Sequence, residues 1–434
     1  MSKFTRRQFI YTAGVTAAVT ALANGCTSEP TTTTTASNPA PVGDTPEVTT
    51  AKLGFIALTD SAPLIIAKEK GFFAKYGMPD VEVLKQASWG VTRDNLVLGS
   101  EGGGIDGAHI LTPMPYLISA GIVTDGKKVP MYILARLNLN GQGLCLANEY
   151  KGLEVTINAK ALKSAFAKNK AGGKEIKVAM TFPGGTHDLW IRYWLASAGI
   201  DPNKDVSTIV VPPPQMVANM KTGTMEAFCV GEPWPLQTVN QQIGYNAATT
   251  GQLWKDHPEK SLGMRADWVD KHPKATKALL MAVLEAQQWC DKDENKQEMC
   301  QILAKRDWFK VPFEDIIDRS LGKFDFGDGR KFEDKELMQK YWRSFASYPF
   351  QSHELWFLTE NIRWGYFKPD TDTKALIKAV NREDLWREAA KALNIPAEQI
   401  PSSTSRGVEK FFDGVAFDPE NPSEYLKNLK IKKV

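Results

Sequence analysis

The stretch IKVAMTFPGGTHDLWIRYWLASA, residues 176–198, decides the fold class of this 434-residue chain. The apolar and β-branched side chains of Ile176–Phe182 are typical of a strand. Pro183-Gly184-Gly185 is typical of a tight turn. The residues that follow, His187–Ala198, carry apolar and aromatic side chains at helical spacing. A strand, a turn and a helix in this order predict one unit of an α/β fold.

The same alternation occurs on both sides of this unit. Lys52–Leu58 and Ile105–Ile110 are predicted strands, Ala62–Tyr76 is a predicted helix, and helices dominate towards the C-terminus. Alternating strands and helices indicate mostly parallel sheets. Two crossovers, at Asn138–Gly141 and near Tyr245–Thr250, divide the pattern into two α/β lobes, and ligands commonly bind in the cleft between such lobes.

These patterns predict a division of the whole chain. The predicted parts are a signal at 1–25, a flexible tether at 26–50, a first lobe at 51–137 plus 246–320, a second lobe at 138–245, and a helical extension at 321–434 that packs on the first lobe.

The N-terminus has the layout of an exported, lipid-anchored protein. Arg6 and Arg7 precede a modest apolar run, as in a twin-arginine export signal, and the run ends at Ala23-Asn24-Gly25-Cys26. The run is too short for a comfortable membrane span. Residues 27–50 are rich in Thr, Ser and Pro and are typical of a flexible tether. We therefore expect Cys26 to be lipidated; plain secretory cleavage and an uncleaved anchor are the alternatives.

The charge balance of the chain bears on the kind of partner it can bind. The chain has 53 basic and 50 acidic residues, and Lys3, Arg6 and Arg7 are the only charges before Cys26, so the remainder is formally neutral. A neutral chain does not favour nucleic acid as a partner. Any selectivity for anions must therefore come from a local site.

Chemical motifs are few. Gly102–Gly107 matches GxGxxG, but it precedes a predicted strand, whereas a dinucleotide site follows one. The five histidines lack metal-ligand spacing, and GxSxG is absent. We predict no catalytic residue, metal or cofactor. His187, at the start of a helix, can contribute to an anion site, although a simple capping role is the alternative.

Several stretches resemble the type II solute-binding proteins for nitrate, sulfonates and taurine, and in particular the nitrate/nitrite-binding lipoproteins of cyanobacterial ABC transporters. The stretches are Phe55–Ala67, Lys70–Gly77, Lys85–Gly90, Asp106–His109, Thr181–Asp188, Val230–Pro235, Met264–Val269 and Phe411–Gly414. The resemblance implies a type II periplasmic-binding-protein-like fold. It also implies a receptor on the periplasmic face of the inner membrane that passes nitrate and nitrite to permease and ATPase subunits.

The resemblance also implies a set of ligand-binding residues: Trp89, Gln142, His187, Gly231 and Lys260. Bicarbonate-binding relatives, which bind with calcium, carry a carboxylate at the position of Lys260 and no His at that of His187. Nitrate has only acceptor oxygens, so a pocket of donors with one positive charge fits it. We therefore expect a nitrate-type pocket made of donors. Without the resemblance, the polar stretch from Lys255 to Lys260 would instead favour a solvated surface position for Lys260.

Two other functions remain open from the sequence. The first is bicarbonate binding within the same family. The second is an enzyme like the thiamin-pyrimidine-forming enzymes, which share the two-lobed fold. Glu101, Cys145 and residues 166–174 depart from the family pattern without changing the five predicted site residues.

Overall fold

The computed structural model describes residues 45–433. The predicted signal, Cys26 and most of the predicted tether lie outside these residues. Within them, fourteen strands are present: β1 (Lys52–Phe55), β2 (Glu82–Lys85), β3 (Gly107–Leu111), β4 (Met131–Arg136), β5 (Gln142–Ala147), β6 (Lys177–Met180), β7 (Ser207–Val210), β8 (Ala227–Gly231), β9 (Gly244–Thr249), β10 (Lys260–Arg265), β11 (Lys323–Asp325), β12 (Lys331–Glu333), β13 (Glu409–Lys410) and β14 (Ala416–Phe417).

The α-helices of the described residues lie between and after these strands. They are α1 (Ala62–Glu69), α2 (Phe72–Lys75), α3 (Trp89–Leu98), α4 (Met114–Ser119), α5 (Lys160–Ala171), α6 (Thr186–Ser197), α7 (Met216–Lys221), α8 (Trp234–Asn240), α9 (Thr250–Leu253), α10 (Ala266–Lys271), α11 (Pro273–Asp291), α12 (Lys296–Ala304), α13 (Ile317–Ser320), α14 (Gln351–Arg363), α15 (Thr373–Val380), α16 (Glu383–Ala392) and α17 (Pro422–Asn428). None of them is long and apolar enough to span a bilayer.

Two five-stranded sheets form the centres of two lobes. The first has the order β2-β1-β3-β10-β4, and the second has the order β7-β6-β8-β5-β9. In each, three parallel strands are followed by one strand that runs antiparallel to both of its neighbours: β10 in the first sheet and β5 in the second. The two sheets therefore share one topology, and the predicted α/β class is confirmed.

The two crossovers lead directly into the antiparallel strands. The chain leaves β4 of the first sheet and enters β5 of the second at Gln142, then leaves β9 and re-enters the first sheet through β10 at Lys260. Both strands begin at the edge where the parallel strands end, because they run in the opposite direction. In open α/β sheets this edge is where ligands bind.

The C-terminal part consists of helices and two short hairpins, β11-β12 and β13-β14. It was expected to pack on the first lobe, and α16 does pack against β4 and α11. It also contacts the second lobe, where α14 packs against α6 and Tyr193 donates to the Asp413 carboxylate. The second crossover lies after Thr249 and not near Tyr245–Thr250 as predicted, because strand β9 continues to Thr249 in the second sheet. The proposed domain limits themselves stay a prediction.

Local chemistry explains where several elements begin. The Ser88 side chain accepts from the backbone N–H of Val91 and so starts α3, and Thr249 and Gln252 form a reciprocal capping box at α9. Gly103, in the glycine-rich loop before β3, has φ +86°, so these glycines form a turn that enters a strand. That this loop is not a dinucleotide site stays a prediction.

Candidate functional site

The five predicted site residues lie at the ends of elements that meet in one buried place. Trp89 begins α3, Gln142 begins β5, Gly231 ends β8, Lys260 begins β10, and His187 is the second residue of α6. The side chains of the four larger residues are at most 1% exposed. The structure thus brings all five together, between the strand ends of the two sheets.

Lys260 is the centre of the cluster. Its ammonium Nζ donates to Asp60 Oδ2 at 2.9 Å and to Glu259 Oε2 at 2.6 Å. It also lies 3.5 Å from His187 Nε2 and 5.9 Å from the centre of the Trp89 ring. The solvated surface lysine that its polar surroundings in sequence allowed is therefore excluded.

Gln142 and His187 form a chain of hydrogen bonds with Thr181. His187 Nε2 lies 2.7 Å from Gln142 Oε1, and His187 Nδ1 lies 2.6 Å from Thr181 Oγ1. Gln142 Nε2 donates to Asp60 Oδ2 at 3.2 Å. These partners fit a neutral imidazole that accepts from the Thr181 hydroxyl at Nδ1 and donates from Nε2.

Position 231 requires a glycine. It pairs with Gln142 across β5 and β8, and a Cβ on it would lie 2.6 Å from Gln142 Oε1 and 3.3 Å from Asp60 Oδ2. The absence of a side chain therefore lets the Gln142 amide and the Asp60 carboxylate approach the end of β8.

Trp89 contributes an indole donor and a flat face. Its ring centre lies 5.4 Å from that of His109, and its Nε1 is buried without a hydrogen-bond partner among the described residues. A buried donor without an acceptor is costly. An acceptor oxygen placed beside it would remove that cost.

Sequence reasoning missed three buried members of the cluster: Asp60, His109 and Glu259. Asp60 follows β1 in a short turn, and its Oδ1 lies 2.5 Å from His109 Nε2. Glu259 accepts from Trp190 Nε1 at 2.6 Å and from Thr186 Oγ1 at 2.9 Å. The expectation of a pocket made of donors alone is therefore wrong. The one available signal was that Glu259 directly precedes Lys260 in the sequence.

Charge pairing sets the protonation states. Burial by itself raises the pKa of Asp60, but Lys260 and His109 outweigh burial and hold that pKa below its usual value. Burial lowers the pKa of Lys260, but Asp60 and Glu259 outweigh it and raise that pKa. Burial, followed by the charge of Lys260, holds the pKa of His187 well below its usual value. The ammonium and the Asp60 carboxylate are thus charged, and His187 is neutral at pH 7.

Two of the three departures from the family pattern, Cys145 and Glu101, lie apart from these contacts. Cys145 donates to Asn246 Oδ1, and Glu101 forms an exposed ion pair with Lys271. Between residues 45 and 433 the cysteines are free and buried, and no cluster of His, Cys, Asp and Glu could hold a metal ion.

Comparison with known proteins identifies close relatives. Residues 44–304 match the model of the NMT1-like family. The chain is 70% identical to the nitrate/nitrite binding protein NrtA of Synechocystis sp., over all of this chain and 99% of that protein. It is 46% identical to the bicarbonate-binding protein CmpA of Synechococcus elongatus, over 99% of this chain and 98% of that protein.

A solved structure agrees with the fold. The crystal structure of the periplasmic nitrate-binding protein NrtA from Synechocystis PCC 6803 superposes with a TM-score of 0.88 at 74% identity, over 89% of this chain and all of that chain. The predicted periplasmic-binding-protein-like fold is confirmed.

Proposed function

This chain belongs to the NMT1-like family, and on that premise we propose that it is the solute-binding receptor of an ABC importer for nitrate and nitrite. Trp89, Gln142, His187, Gly231 and Lys260 bind the anion between the lobes. Permease and ATPase subunits receive it. The relatives described above are a nitrate/nitrite binding protein and a bicarbonate-binding protein, which supports a receptor and not an enzyme.

One observation carries the proposal: a buried ammonium lies beside a neutral imidazole, a side-chain amide and an unpartnered indole N–H. Nitrate and nitrite offer only acceptors to these donors. The cluster is shielded from bulk solvent, so each contact is stronger than it would be at the surface.

The lobes close over the anion in this function. Gln142 and Lys260 each follow a crossover directly, so bending of the two crossovers separates the two sides of the site. Hinge closure of this kind is a common way to enclose a ligand.

The anchor is part of the proposal. Lipidation of Cys26 and a tether over residues 27–50 hold the receptor at the periplasmic face of the inner membrane, where tethering raises the effective concentration of captured anion at the permease. Mass spectrometry of the mature N-terminus tests this: a chain that begins at an acylated Cys26 is expected, and an unmodified Cys26 would contradict it.

Calorimetric titration of the mature chain tests the anion. We expect one nitrate bound per chain, with competition by nitrite. No heat at nitrate concentrations up to the millimolar range would exclude the proposed function.

Bicarbonate is the second candidate, and one feature favours it. The Asp60 and Glu259 carboxylates are acceptors that a bicarbonate hydroxyl can donate to. Titration with bicarbonate, with and without calcium, separates the two: strong bicarbonate binding together with weak nitrate binding would replace the first candidate.

A further inference from the structure

Five titratable groups share the buried site and are shielded from bulk solvent: Asp60, His109, His187, Glu259 and Lys260 are each 0% exposed. The net charge of such a cluster limits the charge of the ligand that it can hold, because an unpaired charge is very costly away from solvent.

Two carboxylates share one ammonium here. Asp60 accepts from His109, Gln142 and Lys260, and Glu259 accepts from Trp190, Thr186 and Lys260. Three hydrogen-bond donors to each carboxylate indicate that both carboxylates are ionised. With neutral imidazoles, the cluster carries a formal charge of −1 before any anion enters.

A monovalent anion would bring this charge to −2. Adding one proton restores −1, and removes the competition between a carboxylate and the anion for the Lys260 ammonium. We propose, on the basis of the anion-binding function above, that the site takes up one proton when the anion binds and that Glu259 receives it.

The geometry allows Glu259 to hold this proton without moving. The Thr186 hydroxyl now donates to Glu259 Oε2 over 2.9 Å. When a proton from solvent forms a new O–H bond on Oε2, that hydroxyl rotates and the new O–H donates to Thr186 Oγ1 over the same distance. Oε1 continues to accept from Trp190 Nε1. Lys260 Nζ then loses one charged acceptor and donates to the anion instead. Glu259 is thus a positioning residue for Lys260.

His187 and Asp60, the other possible acceptors of the proton, fit less well. A proton on His187 would face the Lys260 ammonium at 3.5 Å, and burial and Lys260 already hold the pKa of His187 low. Although burial alone would raise the Asp60 pKa, Lys260 and His109 lower it. Burial raises the pKa of Glu259, and Lys260 does not reverse that shift.

Other charged and titratable groups surround Glu259 on every side. They are Lys260 and His257 on its own segment, Asp60 after β1, His109 on β3, His187 and Asp188 on α6, Cys229 on β8, and Arg136 of β4, which is paired with Glu354 and reaches the backbone carbonyl of Glu259 through Thr112. Asp188 is itself paired with Arg192. Among the carboxylates of this group, Asp60 and Glu259 are the two that contact Lys260.

Calorimetry in several buffers tests the proposal. The mature chain is titrated with sodium nitrate at pH 7.5 in PIPES, HEPES and Tris, whose heats of ionisation differ. The slope of the observed enthalpy against the ionisation enthalpy is expected to give an uptake of about one proton. Nitrate affinity should fall about tenfold per pH unit between pH 7 and 9, because one proton is linked to binding.

Glu259→Gln provides the second arm, since the amide mimics a protonated carboxyl group. It should bind nitrate with no proton uptake and with an affinity independent of pH. Glu420→Gln, at an exposed position, is the matched control and should behave like the parent chain.

The outcomes are distinct. Nitrate binding by the parent chain with no dependence on buffer overturns the coupling, whatever the variant does. Proton uptake that persists in Glu259→Gln overturns the assignment to Glu259. If Glu259→Gln fails to fold, the buffer and pH slopes of the parent chain still decide the coupling, and Glu259→Asp, which keeps a titrating carboxyl, should retain the uptake. Absence of any nitrate binding by the parent chain contradicts the proposed function and not this coupling.

Discussion

Gln142 and Lys260 occupy equivalent positions in the two lobes, and both donate to the same oxygen. Each is the first residue of the antiparallel strand that follows a crossover, and they reach Asp60 Oδ2 at 3.2 Å and 2.9 Å. One carboxylate therefore joins both lobes at the point where each crossover ends. In the proposed receptor, ligand contact and lobe closure would depend on the same residues.

Lys260→Glu should abolish measurable nitrate binding, a loss of about 100-fold or more. The change places a third carboxylate beside Asp60 and Glu259, which lie 2.9 Å and 2.6 Å from the present ammonium. Loss of one partner from a buried ion pair should also lower the free energy of unfolding by about 3–5 kcal/mol. Calorimetry and chemical denaturation measure the two effects.

The matched control is Lys255→Glu. The Lys255 side chain is 61% exposed and pairs with Glu336 at the surface, so nitrate affinity should be unchanged. Tight nitrate binding by folded Lys260→Glu would refute the role given to Lys260.

Gly231→Ala should weaken nitrate binding at least tenfold. The new Cβ would lie 2.6 Å from Gln142 Oε1, so the amide must move away from His187 and Asp60. Overpacking of a buried site costs about 1–3 kcal/mol of stability. Gly152→Ala is the control, since nothing lies within 4 Å of its added Cβ. Equal nitrate affinities for the two variants would show that the Gln142 position is unimportant.

Gln142→Glu should also weaken binding, by at least tenfold. The substitution keeps the shape of the side chain but replaces an amide donor with a charge beside Asp60, where Gln142 Nε2 now donates at 3.2 Å. Gln215→Glu, at an exposed position, is the control. Titration with nitrate should show unchanged affinity for the control alone, and unchanged affinity for both would exclude Gln142 from the site.

The buried histidines should make the fold sensitive to acid. Burial lowers the pKa of His257 to about 3 and that of His353 to about 3, against about 6.5 in an unfolded chain. Between these values the unfolded state binds more protons than the folded state, so stability falls as the pH falls. Full stability is present above about pH 6.5, and it is lost progressively down to about pH 3.

Denaturation followed by circular dichroism at pH 7.5, 5.5 and 4 measures whether stability falls as the pH falls. His257→Gln should reduce the slope of stability against pH, because one group no longer titrates. His272→Gln, at a partly exposed position, should change that slope less. A slope unaffected by His257→Gln would mean that other groups control acid unfolding.

The sequence supported the local parts of the site well. The strand, turn and helix at 176–198 appear as β6, a turn and α6, with His187 in the first turn of the helix. Periodicity and turn chemistry act over a few residues, so they can be read directly from the chain. The five site residues came from resemblance to a family, and their role in binding stays a proposal.

Asp60 and Glu259 could not be found in this way. Asp60 meets Lys260 across a separation of 200 residues, and nothing in its own neighbourhood marks it as the partner of an ammonium. Polar sequence around Lys260 even favoured a surface position, whereas the residue is 0% exposed. Burial is decided by which elements pack over a residue, and local polarity does not report that.

The sequence by itself determined an α/β chain with two crossovers, a formally neutral charge from residue 26 onward, and a helix that begins beside His187, because these follow from composition and short-range periodicity. Only the tertiary structure decided that Gln142 and Lys260 meet at one carboxylate. Strand order and direction place the start of β5 and the start of β10 at facing sheet edges, and burial there makes every charge depend on its neighbours. The charge balance of the site is thus a property of the folded chain.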